Sequence, residues 1–109
     1  MKFCVEKNLK RLRVAIEKNK IFTKKIKSNV FLCVLEILYN ICGNKKGSKW
    51  VSKETLKKLK NEKKILRYLF NKDKTVNKRK KKFLTTGENF KQTILTVLEL
   101  FFEKCTETG

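Results

Sequence analysis

The chain contains no histidine, no proline and a single aspartate, Asp73. Most zinc sites, His-based nucleophile relays and paired-carboxylate hydrolytic sites therefore lack the parts they require. With no catalytic set and no metal-ligand set to assemble, the composition predicts a non-enzymatic protein without cofactor, metal or small-molecule substrate. Carboxylates are scarce as a class, since 10 Asp plus Glu stand against 29 Lys plus Arg, for a formal net charge of +19. Apolar runs are short as well. The longest, Val30 to Cys42, has about 13 residues and includes Glu36 and Asn40, below the roughly 18 to 20 that span a bilayer. No heptad series, tandem repeat, Pro-rich linker or strand-like alternation is present.

Four cysteines, Cys4, Cys33, Cys42 and Cys105, form no C-x-x-C pair, and each lies within or at the end of an apolar helical pattern. This predicts reduced, structural thiols, with two disulfides as the alternative that an even count permits. Met1 to Lys20 alternates charged and apolar residues without the apolar core of a secretion signal, so the expected compartment is intracellular and reducing.

At 109 residues and 40% hydrophobic content, the chain has room for one small domain with a compact body and a strongly basic surface. Hydrophobic periodicity predicts an all-α bundle of four or five helices within a single domain over residues 1–109. Val5, Leu9, Leu12 and Ile16 recur at helical spacing, giving an amphipathic first helix ending near Asn19. A basic link with Lys24, Lys25 and Lys27 follows. Ser28 then caps a helix through Val30, Phe31, Leu32, Val34, Leu35, Ile37, Leu38 and Ile41 that stops at Gly43. Apolar on nearly every side, this helix is expected at the centre.

The stretch Gly43-Asn44-Lys45-Lys46-Gly47-Ser48 has its second glycine one position too early for a phosphate-binding loop, and no Lys-Ser or Lys-Thr pair follows it. A polar turn fits, with Gly43 as C-cap and Trp50 folding back on the core, or alternatively stacking on a base. Ser52 caps the next predicted helix, running to Phe70, with Leu56, Leu59, Leu66 and Leu69 in one stripe widened by Ile65 and Phe70. Asn71 to Asp73 reads as a turn, Thr75 as the cap of a short helix, and Thr85-Thr86-Gly87 as a break. Phe90, Ile94, Val97, Leu98, Phe101 and Phe102 then mark a final packing helix.

Charge divides the chain unevenly. Residues 83–109 carry two Lys against four Glu, a net of −2, which leaves +21 on residues 1–82. A field of that sign attracts a polyanion, and nucleic acid is the favoured one. Opposite the leucine stripe run Lys57, Lys58, Lys60, Lys63, Lys64 and Arg67, with only Glu54 and Glu62 to balance them; Lys78, Arg79, Lys80, Lys81 and Lys82 form the densest basic run. These eleven residues are the candidate phosphate contacts. The 78–82 run equally fits a nuclear-import signal, which points to the nucleus.

With 25 Lys and only four Arg, Arg11, Arg13, Arg67 and Arg79, the charge suits backbone neutralisation more than bidentate base reading. DNA is favoured over RNA as the partner. A helix-turn-helix would need a shorter connection than the nine residues from Gly43 to Val51. The alternative to nucleic-acid binding is a membrane-active or protein-binding helical module whose C-terminal apolar helix is the working surface, on anionic lipid or an acidic partner. Surplus apolar surface favours a homodimer.

Several residues together resemble a known group. An apolar helix ends Ile37-Leu38-Tyr39-Asn40-Ile41, a Gly-Asn turn follows, and Leu56-Lys57-Lys58-Leu59 leads to Leu66-Arg67-Tyr68-Leu69. Lys78-Arg79-Lys80, Phe83-Leu84 and Gly87 then precede a closing aliphatic helix. This order, over residues 30–102, resembles the small basic proteins of adintoviruses and other Polinton-type DNA elements of animals, which are compared with the adenovirus core peptide called protein X or mu. It departs from the group's pattern where Glu88 replaces a second glycine and where the last segment has no proline. The resemblance implies a viral or virus-derived core protein that condenses or accompanies DNA in a virion, with Lys78, Arg79 and Lys80 as the basic cluster.

Overall fold

In a computed structural model, which describes the backbone of residues 3–18, 20–43 and 51–108 and the side chains of residues 10–18, 20–42 and 51–103, the chain is helical throughout, without a strand among the described residues. The helices are α1 (Phe3–Glu17), α2 (Ser28–Gly43), α3 (Lys53–Lys60), α4 (Lys63–Phe70), α5 (Val76–Leu84) and α6 (Glu88–Thr108). The expected polar turn of residues 44–50, and Trp50 with it, lie outside the described residues.

α2 occupies the predicted central place because it has no polar face wide enough to meet water. Val30, Phe31, Cys33, Val34, Leu35, Ile37, Leu38 and Ile41 are all buried. α1, α4, α5 and α6 each pack against it, while α3 lies on α6 and leads into α4. Each surrounding helix contributes one stripe: Leu12 from α1, Leu59 from α3, Leu66 and Leu69 from α4, Phe83 from α5, and Phe90, Ile94, Val97, Leu98 and Phe101 from α6. The buried side chains form one contiguous core, and the radius of gyration of 12.9 Å is that of a close-packed chain of this length.

Among the described residues six helices form where four or five were expected, because the helix predicted from Ser52 to Phe70 is two. α3 ends as the Asn61 N–H donates to the Lys57 carbonyl (2.9 Å) and the Glu62 N–H to the Leu59 carbonyl (3.1 Å). Glu62 leaves helical geometry at φ −98°, ψ 44°. No proline or glycine forces the break. α3 buries Leu59 against α6, whereas α4 buries Leu66 and Leu69 toward α2 and α5, so two different packing partners override a continuous local pattern. The break also takes Lys60 and Lys64 out of the i, i+4 relation that would crowd their charges in one helix.

Two of the predicted caps form, those of Ser52 and Thr75, whereas Ser28 and Gly43 are the first and last helical residues of α2 and the Lys27 carbonyl accepts from the Phe31 N–H at 2.9 Å. The Thr55 N–H donates to Ser52 Oγ at 3.1 Å and the Lys78 N–H to Thr75 Oγ1 at 3.2 Å, each satisfying a donor that the first helical turn leaves open. The Asp73 N–H donates to Asn71 Oδ1 at 2.9 Å, which fixes the α4–α5 turn. At the α5–α6 break the hydroxyls of Thr85 and Thr86 donate to the Lys82 and Phe83 carbonyls at 3.0 and 2.8 Å.

The basic link between α1 and α2 does more than connect. Ile21 and Ile26 are buried, and the Phe22 ring stacks on Phe83 with centroids 4.9 Å apart. Phe83 in turn meets Phe31 of α2 at 5.3 Å. A row of three aromatic rings therefore ties the link, α5 and α2 together.

Among the described cysteines, Cys33 is buried in the core and Cys42 is a half-buried thiol. No helix among the described residues is long and apolar enough to cross a membrane. The apolar stripe of α6 is directed into the core, and Arg13 of α1 lies over the Phe102 ring at 5.9 Å.

Phe101→Ala is expected to lower stability by about 3–5 kcal/mol in urea unfolding, as a large ring leaves a filled core. Val14→Ser, at a position 45% exposed, is expected to change it by less than about 0.5 kcal/mol.

Candidate nucleic-acid interface

Ten Lys and Arg residues against one acid, Asp73, fall between residues 63 and 82, and the α4–α5 hairpin folds this segment back on itself. Leu66 and Leu69 turn α4 inward, and Phe83 does the same for α5. Inward apolar anchors leave Lys63, Lys64 and Arg67 exposed on α4, and Lys78, Lys81 and Lys82 exposed on α5. Lys80 is half-buried.

The two basic runs meet at Tyr68. Its half-buried ring has Lys74 Nζ 5.4 Å and Lys82 Nζ 5.9 Å from the centroid, so one aromatic ring is shared by a cation from the turn and a cation from α5. The electron-rich ring face offsets part of the repulsion between two neighbouring ammonium groups. No carboxylate among the described residues pairs with Lys63, Lys64, Arg67, Lys78, Lys81 or Lys82; the ion pairs there are Arg13–Glu17 and Glu54–Lys58, each at 3.8 Å.

The remaining candidates are placed differently. Lys57, Lys58 and Lys60 are exposed on α3, but Lys58 pairs with Glu54 and lines the polar groove between α3 and α6 with Asn61, Asn89 and Thr93. Lys60 lies near the end of α2, where its charge acts on Cys42. Burial pushes the Cys42 thiol above its ordinary range, and Lys60 opposes that shift.

Arg79 is not presented as a surface cation. It is half-buried, its Nη1 donates to the Leu69 carbonyl at 3.3 Å, and its Nε is buried without an acceptor among the described residues. A guanidinium at the last turn of α4 satisfies an open carbonyl and meets the negative end of the helix dipole. Within the basic run of 78–82, Arg79 therefore fastens α5 to α4, while Lys78, Lys81 and Lys82 stay exposed and Lys80 is half-buried.

Tyr68 and Lys74 were not among the candidates drawn from the sequence. The available signal was an aromatic placed four residues after Lys64 and one after Arg67, the interleaving of ring and charge that nucleic-acid surfaces use. Its meaning depends on the turn that returns Lys82 to α4.

No family model matches the chain, and no curated protein or solved structure is found to be similar to it.

Arg79→Ala is expected to lower stability by about 1–3 kcal/mol in thermal or urea unfolding, because a buried carbonyl loses its charged donor. Lys81→Ala, at an exposed position, is expected to leave stability within about 0.5 kcal/mol. For Cys42 the thiolate is the disfavoured form, so alkylation of the folded chain at mildly alkaline pH should run slower than that of the unfolded chain, with its rise displaced to higher pH. Lys60→Ala should displace it further, as peptide mapping after timed iodoacetamide exposure would show.

Proposed function

We propose that the protein binds nucleic acid, DNA in preference to RNA, through phosphate contacts with little sequence preference, and acts without catalysing a reaction. The observation that carries this reading is the α4–α5 hairpin, which brings Lys74 of the turn and Lys82 of α5 within 5.4 and 5.9 Å of the Tyr68 ring centroid and leaves Lys63, Lys64, Arg67, Lys78, Lys81 and Lys82 exposed on its two helices. Ammonium groups on long, flexible stems neutralise phosphates as point charges and release condensed counterions, and they carry no fixed geometry for base edges. The one arginine of the 78–82 run, the residue best suited to bidentate base reading, is engaged with the Leu69 carbonyl.

A working place in a viral or virus-derived core, or in a nucleus, follows from the same charge and from the resemblance to the adintovirus and Polinton group. A polymer carrying one phosphate per strand every few ångströms needs neutralisation before it can be packed, and a small helical body with +19 charges supplies it.

Binding to duplexes of two unrelated sequences across a salt series tests the proposal. Affinity should fall linearly on logarithmic axes and alike for both duplexes, and replacing Lys81 and Lys82 with Ala should lower the slope by up to ~0.9 for each phosphate no longer neutralised. An effect confined to one sequence, or binding no tighter than that of a charge-matched Lys-rich control peptide, would overturn it.

A further inference from the structure

A second basic surface lies on the opposite part of the sequence, between the end of α1 and the start of α2, and its chemistry differs from that of the Tyr68 region. It is a groove of about 350 Å³ whose floor is aliphatic: Val14, Ala15, Ile26 and Val30. Val14 is 45% exposed, one of the two large apolar side chains left open to water among the described residues.

Six cations surround that floor. Lys10 and Arg11 come from α1, Lys18 follows its end, and Lys20, Lys25 and Lys27 come from the link. All six are exposed, and no carboxylate among the described residues lines the groove. The geometry is fixed by backbone. Positions 10, 11, 14, 15 and 18 share one helical face, and the Lys20 N–H donates to the Ala15 carbonyl at 2.8 Å, five residues back, closing the end of α1. The link then turns through Thr23, whose carbonyl accepts from the Ile26 N–H at 3.1 Å, and buried Ile21 and Ile26 hold it against the body.

Apolar floor and cationic rim select among polyanions. Nucleic acid could meet the rim, but among the described residues no aromatic side chain lines the groove for a base to stack on, and phosphates gain nothing from aliphatic surface. A flat bilayer surface would engage the rim lysines and leave the concave floor unfilled. A second copy of this chain brings a further +19 charges to the encounter. An acidic amphipathic peptide segment satisfies both features at once, with aliphatic side chains on the floor and carboxylates at the rim.

We infer that the groove between α1 and the α1–α2 link is a docking site for an acidic amphipathic segment of another protein, independent of the phosphate-binding surface on α4 and α5. The lysines at its rim speed encounter and set orientation, and Val14, with Ala15 beside it, gives the preference for a patterned ligand over a merely acidic one.

The test uses the full chain and a fluorescein-labelled helical peptide of about 18 residues, with Leu at three- and four-residue spacing and Glu between, followed by anisotropy at physiological salt. A scrambled peptide of equal composition is the control. The patterned peptide should bind about tenfold tighter than the scrambled one. Val14→Asp should remove that advantage while leaving the duplex-DNA salt slope unchanged, and Val14→Asn serves if the aspartate variant loses its circular-dichroism signal. Equal affinity for both peptides would overturn the inference by reducing the groove to charge adhesion, as would a patterned peptide indifferent to both variants. A Val14 substitution that instead abolished pelleting on anionic vesicles, or self-association in sedimentation, with peptide binding intact, would give the groove to lipid or to a second copy.

Discussion

Most of the circumference of α2 is apolar and cannot face water, and the remainder of the chain is arranged to cover it. Eight of its side chains are buried, and at roughly 25 cal/mol per Å² of apolar surface each contributes about 1.5–3 kcal/mol to the folded state. Covering most of a helix takes several neighbours, and α1, α4, α5 and α6 supply them. Every neighbour turns its apolar stripe into the core shared with α2, so its charged residues are left facing outward. The basic exterior is thus a consequence of the apolar centre.

The same division explains why two residues of similar charge, adjacent in sequence, have different work. In the run from Lys78 to Lys82 the helix turns by about a hundred degrees per residue, so one position in the run must face α4. Arginine occupies it. Its planar fork reaches the Leu69 carbonyl, and a guanidinium is more weakly hydrated than an ammonium and tolerates partial burial better. Lysines fill the outward positions, where strong hydration and a flexible stem are no disadvantage.

The all-helical class, the central place of α2, the Ser52 and Thr75 caps and the α6 stripe were readable in the sequence, because each rests on local spacing or on a side chain reaching its own backbone. What escaped depended on distant parts of the chain. The division at Asn61 and Glu62 arises from competition between α6 and the α2–α5 pair for a leucine stripe that reads as continuous. Ile21, Phe22 and Ile26 sit among lysines in a segment with no helical period, and only the Phe22–Phe83–Phe31 contact reveals them as core. Arg79 carries the same formal charge as its neighbours and differs from them only through its angular position on α5. Tyr68 gained its significance from a turn that returns Lys82 to α4.

Self-repulsion acts on every part of this surface, and it links stability to binding. A net charge of +19 raises the energy of the compact state more than that of the expanded chain. Added salt screens that repulsion within a Debye length of about 8 Å at physiological strength, and so favours the fold. The same salt removes the gain from counterion release and weakens any phosphate contact. Fold and ligand affinity therefore respond to ionic strength with opposite sign. A bound polyanion resolves the conflict, since it supplies the missing negative charge at the positions where the repulsion is greatest. On this argument the hairpin of α4 and α5, with ten cations and one acid over residues 63–82, is the part of the bundle whose stability would gain most if a polyanion bound there.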